Sequence, residues 1–271
     1  MRKKKEMEKI KVPSTSFMVT EACTLKCKLC LAYVPYYKKH TCMTELDMKK
    51  VLERYFLIVD EVEKMSLTGG EPLLNVQINE MLLEIFKYSE RITKEIILIT
   101  NGTIPFTNEL LDIMVQNDKL KVIVNNYGKL SLYAEENYYR LCQKNIRAIL
   151  YTEDNRYGWI DCRDHSLKHE SVEAKEKQAA QCAFFQGKKY VINRGKLYTC
   201  TRAAYRIQEG IIPYTEEAYI DLLDETQSVE LQKKKLKELL GARYTISCAF
   251  CDGLTENSVK YKAAEQLETE E

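Results

Sequence analysis

The sequence lacks both a large net charge and a long apolar run. Its 41 lysines and arginines nearly cancel its 40 aspartates and glutamates, which leaves a formal charge of +1. A chain with so little net charge is a poor candidate for binding nucleic acid. No apolar stretch approaches the length of a membrane span, and no signal peptide precedes the first motif. We therefore predict a cytoplasmic protein without a membrane or nucleic-acid partner, whose residues 1–13 form a solvated basic tail.

The ten cysteines do not indicate a disulfide-bonded scaffold. Such scaffolds are short secreted chains, whereas 271 residues can bury one substantial core with room for a small appended domain. The cysteines are also clustered, as they are in proteins that bind iron or zinc in a reducing compartment. We therefore expect thiols that bind metal.

Three cysteines near the N-terminus are the most informative feature. Cys23, Cys27 and Cys30 form a C-x3-C-x2-C run. Three thiolates on one loop can bind three irons of a [4Fe–4S] cluster and leave the fourth iron open to a small molecule. The alternatives are a zinc loop or unpaired structural thiols. A structural zinc needs four ligands, and the nearest further candidates, His40 and Cys42, lie at least ten residues beyond the run.

A second motif, Thr-Gly-Gly-Glu-Pro at residues 68–72, follows a predicted strand. Gly69 and Gly70 let the backbone approach a ligand closely, and Glu71 can accept hydrogen bonds from a bound ammonium group. By itself the motif is equally typical of a tight turn. Its position about forty residues after the cysteine run, at a strand end, favours a ligand site.

Together the two motifs resemble those of the radical SAM enzymes. The resemblance implies that the three cysteines hold a [4Fe–4S] cluster, whose open iron is chelated by the amino and carboxylate groups of S-adenosylmethionine (SAM). It also implies that the turn contacts SAM through Gly69, Gly70 and Glu71. The chain departs from the family at Leu29, because the residue before the last cysteine is often aromatic and packs near the adenine.

Alternating strand and helix patterns over residues 14–165 predict a parallel sheet with right-handed crossovers. Strands are expected at residues 14–19, 64–67, 94–100, 120–126 and 147–151, with a short sixth piece at 157–162. Six units are too few to close an eight-stranded barrel, so the predicted fold class is α/β, an open partial (β/α)6 barrel. Asn101 and Asn125 follow two strands at equivalent loop positions, where they either bond the ribose or carboxylate of SAM or make local turn bonds.

Residues 166–271 lose this alternation and are predicted to form a small module built on a β-hairpin and a helix. Two cysteines at the outer ends of the hairpin and a later C-x2-C pair accompany it: Cys182, Cys200, Cys248 and Cys251. Four thiolates can complete a metal site, and their spacing suits zinc and iron–sulfur equally. In the radical SAM family a module of this layout, the twitch domain, carries an auxiliary [4Fe–4S] cluster. The resemblance therefore implies that these four cysteines hold a second cluster.

These features lead to a hypothesis of substrate oxidation. A 5′-deoxyadenosyl radical made from SAM takes a hydrogen atom from the substrate, and a fully ligated auxiliary cluster can accept one electron. The layout is similar to that of the inosamine dehydrogenase of aminoglycoside biosynthesis, which implies a small-molecule sugar or cyclitol alcohol as substrate. A partner such as flavodoxin or ferredoxin would donate electrons. The substrate-side candidates are Cys162, Arg163 to stabilise an oxyanion, and His165 to accept a proton.

Three alternatives remain open. Peptide modification, by thioether formation or epimerisation, would use a peptide substrate and a hydrogen donor such as Cys142 or Cys162. A glycyl-radical activating enzyme is less favoured, because no ferredoxin-like cysteine insertion lies between Cys30 and Gly69. An iron–sulfur electron carrier or a zinc-stabilised adaptor would not bind SAM at all.

Overall fold

The computed structural model describes residues 9–155, 158–213, 215 and 218–268. The strands are β1 Lys11–Thr20, β2 Glu61–Gly69, β3 Ile92–Thr100, β4 Leu120–Asn125, β5 Arg147–Tyr151, β6 Lys189–Asn193, β7 Lys196–Tyr198 and β8 Tyr219–Asp221. The helices are α1 Glu45–Ile58, α2 Ile78–Phe86, α3 Asn108–Met114, α4 Ala134–Gln143, α5 Val172–Gln181, α6 Ala183–Gln186, α7 Thr201–Gln208 and α8 Val229–Gly241. Within those described ranges, no helix has the length and apolar character needed to cross a bilayer.

The strands form one sheet in the order β5-β4-β3-β2-β1-β6-β7-β8. Neighbouring strands from β5 through β6 in that order are parallel, whereas β7 and β8 are added in antiparallel fashion. The sheet does not close on itself, since β5 and β8 are its edges. The structure therefore confirms the predicted α/β class and the open partial barrel.

Helix α1 begins directly after Thr44, which is its N-cap. The backbone amide of Asp47 donates to the hydroxyl oxygen of Thr44 at 3.1 Å, and the amide of Thr44 donates to the Asp47 carboxylate at 3.2 Å. This capping box satisfies amides that the first helical turn leaves without intrahelical partners. The apolar residues that follow at three- and four-residue spacing, from Met48 to Phe56, are buried. Local capping and periodicity thus fix the helix that covers the first strands.

The two faces of the sheet pack into different cores. In β1, Phe17 and Val19 contribute to the large core that α1 to α4 and α8 help to form, while Met18 belongs to a separate cluster. This alternation follows from the two-residue period of a strand. The separate cluster is aromatic and includes Tyr33 and Tyr205. One face of the sheet is therefore sealed by helices, and the other lies against the loop that carries the first three cysteines.

The sixth parallel strand is not the predicted one. Residues 158–162, which the structure describes, contain no strand, and Trp159 makes only an isolated bridge with Tyr261; residue 157 lies outside the described residues. The sixth parallel strand is β6, the first arm of the predicted hairpin, which pairs with β1. The hairpin itself is confirmed by the pairing of β6 with β7. The sheet therefore continues past the predicted domain boundary at residue 165, and that division stays a prediction.

Candidate functional site

The first candidate site is the loop that follows β1 and carries Cys23, Cys27 and Cys30. Its surroundings are apolar and aromatic: Leu25, Tyr127, Leu130, Trp159 and Ala264. The Cys23 Sγ accepts a hydrogen bond from the side-chain amide of Asn101 at 3.5 Å. Burial raises the pKa of Cys23 to about 11 and that of Cys27 to about 12. As free thiols these groups stay protonated at neutral pH, so their ionisation depends on a bound cation such as iron.

A segment at the C-terminus, residues 264–267, closes over this loop. The backbone amide of Lys28 donates to the carbonyl of Glu265 at 2.7 Å. The side-chain amide of Gln266 donates to the Sγ of Cys27 at 3.3 Å, across 239 residues of sequence. Sequence reasoning missed this contact, because no motif marks residue 266 and no periodic pattern predicts so distant a pairing.

The Gly-Gly-Glu turn is held against the cysteine loop by its backbone. The amide of Gly70 donates to the carbonyl of Thr20 at 2.8 Å, and the amide of Glu71 donates to that of Ala22 at 2.9 Å. A β-carbon on Gly70 would lie 1.9 Å from the Ala22 carbonyl oxygen, and one on Gly69, whose φ is +147°, would lie 2.2 Å from that of Thr20. Only glycine fits at these two positions. The close approach of the two loops thus explains both glycines, and their contact with SAM stays a prediction.

Glu71 is fully buried beneath this turn. Its carboxylate accepts hydrogen bonds from the Thr100 hydroxyl at 2.8 Å and from the backbone amides of Asn101 at 2.7 Å and Leu73 at 3.2 Å. Burial raises the pKa of Glu71 to about 7, against the three hydrogen bonds, which favour the charged form. The carboxylate therefore ties the loop after β2 to the loop after β3. Its predicted contact with the SAM ammonium group stays a prediction.

Asn101 and Asn125 lie at the carboxyl ends of β3 and β4. The Asn101 side chain donates to the hydroxyl of Thr24 at 3.0 Å and accepts a hydrogen bond from the hydroxyl of Thr103 at 2.7 Å. The Asn125 side chain donates to the carbonyl of Thr100 at 3.2 Å. Only the bond between Asn101 and Thr103 is a local turn bond, one of the two alternatives that the sequence left open; the Asn125 bond spans 25 residues. Their bonds to SAM remain predictions.

A buried ion pair joins the cysteine loop to the hairpin turn. The Arg194 guanidinium donates through Nε to one carboxylate oxygen of Glu21 at 3.0 Å and through Nη2 to the other at 2.8 Å. The side chain of Glu21 is 1% exposed and that of Arg194 is 30% exposed. Two parallel bonds fix direction as well as distance. The pair therefore positions the three-cysteine loop, although neither residue belongs to a recognisable motif.

The second candidate site is a small pocket beside the hairpin. All four predicted cysteines line it: Cys182, Cys200, Cys248 and Cys251. Cys200 is also the N-cap of α7, where its Sγ accepts a hydrogen bond from the amide of Ala203 at 3.4 Å. The fold thus brings together thiols from three separate points of the chain.

The donor chemistry of both sites fits iron–sulfur clusters. Among the residues that the structure describes, no three His, Cys, Asp or Glu side chains are arranged to hold a single metal ion. A cluster makes a different demand, because each thiolate binds its own iron atom and the thiols do not converge on one ion. The three thiols on one loop match a [4Fe–4S] cluster with one open iron. The four thiols around the second site match a cluster with no open iron.

The three substrate-side candidates do not form one group. Cys162 lies beside the second site, where its thiol hydrogen-bonds to Cys251 and holds the pKa of Cys251 below its ordinary value. Arg163 forms an ion pair with Asp161, two residues before it, with Nη2 and Oδ2 2.6 Å apart. The guanidinium is therefore already paired in this structure, and its predicted role toward an oxyanion stays a prediction.

The ring of His165 is held in place by an arginine. Its Nδ1 accepts a hydrogen bond from the Nε of Arg206 at 3.0 Å. Because an arginine keeps its protons, Nδ1 is unprotonated and the ring proton is on Nε2. Burial, followed by the charge of Arg206, lowers the pKa of His165. The Nδ1 of His165 is already occupied by this bond, and the predicted role of His165 as a proton acceptor stays a prediction.

The two cysteine sites are adjacent. The hydroxyl of Thr201 donates to the carbonyl of Leu31 at 2.9 Å. These residues directly follow Cys200 and Cys30 in the sequence. Chain geometry then limits the separation of the Cys30 and Cys200 Cα atoms to roughly 15 Å. A molecule bound at the first site therefore lies within a short distance of the second.

Comparisons with known proteins agree with this arrangement. Residues 17–127 match the Radical SAM superfamily. An 87-residue segment is 32% identical to GTP 3′,8-cyclase of Helicobacter pylori and covers 31% of this chain but only 26% of that relative. The solved structure of BtrN in complex with AdoMet and 2-DOIA has a TM-score of 0.55 at 16% identity, covering 94% of this chain and 98% of BtrN. That of anSMEcpe with bound AdoMet has a TM-score of 0.54 at 12% identity, covering 87% of this chain and 84% of anSMEcpe. These two likenesses show a shared fold.

Proposed function

Since residues 17–127 match the Radical SAM superfamily, we propose that this chain is a radical SAM enzyme that oxidises an alcohol carbon of a small sugar or cyclitol to a carbonyl. In this proposal Cys23, Cys27 and Cys30 hold the [4Fe–4S] cluster that binds SAM. A second [4Fe–4S] cluster is held by Cys182, Cys200, Cys248 and Cys251. An electron-donating protein such as flavodoxin or ferredoxin reduces the first cluster.

When bound, these groups supply the redox chemistry: SAM and one electron give methionine and a radical that removes one hydrogen atom from the substrate, and the second cluster accepts one electron. With loss of the hydroxyl proton to solvent, the alcohol has lost two hydrogens and two electrons. The chain's own contribution is position. The Glu21–Arg194 pair and the Gly69–Glu71 turn fix the first cysteine loop, and residues 264–267 cover it from solvent.

The four-thiol cavity beside the first cysteine loop is the observation that supports this proposal most. A site with a complete set of four thiolates leaves no iron open to bind substrate, and it can still accept an electron. The Thr201–Leu31 hydrogen bond keeps the two sites close enough for a substrate between them to exchange an electron with the second. A redox role for the second site therefore follows from its position as well as from its ligands.

The substrate class is supported by overall likeness to BtrN. The alignment covers nearly the whole of both chains, and that structure holds 2-DOIA together with AdoMet. The GTP 3′,8-cyclase relatives match over a much smaller part of their length. We therefore place a sugar or cyclitol alcohol ahead of a nucleotide as the substrate.

Metal content after anaerobic reconstitution tests the cofactor part of the proposal. We expect about eight irons per chain, and about four in Cys248→Ala. Cys142→Ala is the matched control, because Cys142 is exposed and lies in neither site; it should keep about eight. Four irons accompanied by one zinc in the unaltered chain would remove the electron acceptor and refute the oxidation.

Product analysis tests the reaction. The reduced, iron-loaded chain is incubated with SAM and a panel of amino-cyclitols and amino sugars, and 5′-deoxyadenosine and product masses are measured. Loss of two hydrogens from one of these alcohols supports the proposal. Loss of two hydrogens or incorporation of solvent deuterium in a peptide, or cyclisation of GTP, would assign a different reaction. Absence of 5′-deoxyadenosine under all conditions would leave the electron-carrier alternative.

A further inference from the structure

Arg202 is a buried cation at the second cysteine site. Its side chain is 1% exposed, and it lines the same cavity as the four cysteines. Its guanidinium stacks over Phe184, with the central carbon 4.8 Å from the ring centroid. One of its nitrogens, Nη2, is 3.9 Å from the Sγ of Cys182. The other two, Nε and Nη1, have no hydrogen-bond partner among the residues that the structure describes.

This placement is unfavourable for an isolated arginine. A buried guanidinium that lacks an anion carries a large desolvation penalty. Arg202 is also the second residue of α7, and the positive end of a helix dipole disfavours a cation. Arg206, one turn later, is fully buried, and its partners within the described part of the chain are neutral groups of His165, Ser247 and Cys162. Among the described residues, neither arginine has a carboxylate partner within salt-bridge distance.

An anionic centre in the cavity resolves this imbalance. Four thiolates around an oxidised [4Fe–4S] core carry a net charge of about −2, which falls to about −3 on reduction. A fixed positive charge a few ångströms away stabilises the reduced form more than the oxidised form. The neighbouring cation therefore favours uptake of an electron by this cluster.

We propose that Arg202 is the counter-charge of the second cluster, a positioning residue that raises its reduction potential so that it accepts the substrate electron. This inference rests on the proposed function, because it requires a cluster at the four cysteines. It adds a residue that no cysteine motif contains. One bound anionic cluster would account for the buried guanidinium, the four thiols and the pocket that they line.

The test measures the second cluster alone. The full-length chain carries Cys23→Ala, Cys27→Ala and Cys30→Ala, so that only the second site binds iron. Arg202→Gln and Arg202→Lys are made in this background. Arg243→Gln is the matched control for loss of one positive charge, because Arg243 is 79% exposed and pairs with Glu176 at 3.1 Å. Iron content and an EPR-monitored redox titration are recorded for each.

We expect Arg202→Gln to lower the equilibrium constant for one-electron reduction by roughly tenfold or more, which is about 59 mV per factor of ten. Arg202→Lys keeps the charge, so its reduction potential should stay nearer that of the parent. The reduction potential of Arg243→Gln should equal that of the parent. If Arg202→Gln fails to bind iron while Arg202→Lys binds it, the result also supports a role for the positive charge at residue 202. Gln and Lys variants that behave alike in both measurements would overturn the inference. A parent that binds no iron would instead refute the proposed cluster itself.

Discussion

The side-chain amide of Gln266 donates a hydrogen bond to the Sγ of Cys27 at 3.3 Å. The same side chain accepts a hydrogen bond from the backbone amide of Lys26 at 2.8 Å. The side chain of Gln266 therefore hydrogen-bonds to both the backbone and a thiol of the first cysteine loop. The C-terminal segment is part of the first site and not an appendage of the second.

Removing this hydrogen bond should lower the reduction potential of the first cluster. A donor to a ligand sulfur withdraws negative charge and stabilises the reduced state. Gln266→Leu keeps a similar volume and loses the donor, so we expect a more negative potential in an EPR-monitored titration, with iron content retained. Glu265→Gln is the control, because Glu265 is 51% exposed and its ion pair with Lys28 lies at the surface. An unchanged potential in Gln266→Leu would show that the contact does not reach the cluster.

Gly70→Ala should abolish the first site. Its new β-carbon would lie 1.9 Å from the carbonyl oxygen of Ala22 and 3.0 Å from the Cβ of Cys23. Backbone atoms cannot move aside cheaply, so the turn and the cysteine loop must separate, at a cost of about 1–3 kcal/mol or more. We expect iron to fall from about eight to about four per chain. Gly241→Ala, with no atom within 4 Å of the new carbon, should keep its iron; equal loss in both variants would contradict this account.

Glu21→Gln should destabilise the fold, because it leaves the Arg194 guanidinium without its anion. The pair is buried on the Glu21 side only, so we expect a loss of about 2–3 kcal/mol in the free energy of unfolding. Urea titration of the reduced apoprotein measures it. The double variant with Arg194→Gln should lose less than the sum of the two single losses. Glu153→Gln breaks the exposed pair with Lys262 and should change stability by less than about 0.5 kcal/mol.

The buried carboxyl of Glu71 predicts a particular pH dependence. Because its pKa is raised from 4.5 to about 7 in the folded chain, the folded state holds a proton that the unfolded state has already lost between these values. Stability therefore falls as pH rises from about 4.5 to about 7, by roughly 3 kcal/mol at most from this group. Glu71→Gln should be less stable throughout, since its amide meets the donor of Asn101, and its unfolding midpoint should depend less on pH. Parallel pH profiles of the two proteins would rule this out.

Local signals in the sequence were enough to predict much of the fold. The Thr44 capping box and the apolar spacing from Met48 to Phe56 lie within one helix, so the sequence alone determines them. Short cysteine spacings likewise reveal which thiols share a loop. The same holds for the β6–β7 hairpin, whose turn residues are adjacent in the chain.

Contacts between distant segments could not be predicted in this way. Whether the sixth parallel strand is residues 157–162 or β6 depends on which segment fits the free edge of β1, and both are short and partly apolar. The Glu21–Arg194 pair spans 173 residues, and charged residues at loop positions ordinarily lie in solvent. The contact between Arg206 and the Nδ1 of His165 was unpredictable for the same reason, since the two residues are 41 apart in the sequence.

Cys162 supplies a fifth thiol at the second site, and this makes the ligand cysteines unequal. Its thiol hydrogen-bonds to Cys251, so we expect it to take the place of Cys251 more readily than that of Cys248. We therefore expect Cys251→Ala to retain more than four irons per chain, whereas Cys248→Ala falls to about four. Cys162→Ala alone should keep about eight, and the double variant Cys162→Ala/Cys251→Ala should fall to about four. Iron analysis after anaerobic reconstitution decides, and a Cys251→Ala chain with no more iron than the double variant would show that the fifth thiol cannot substitute.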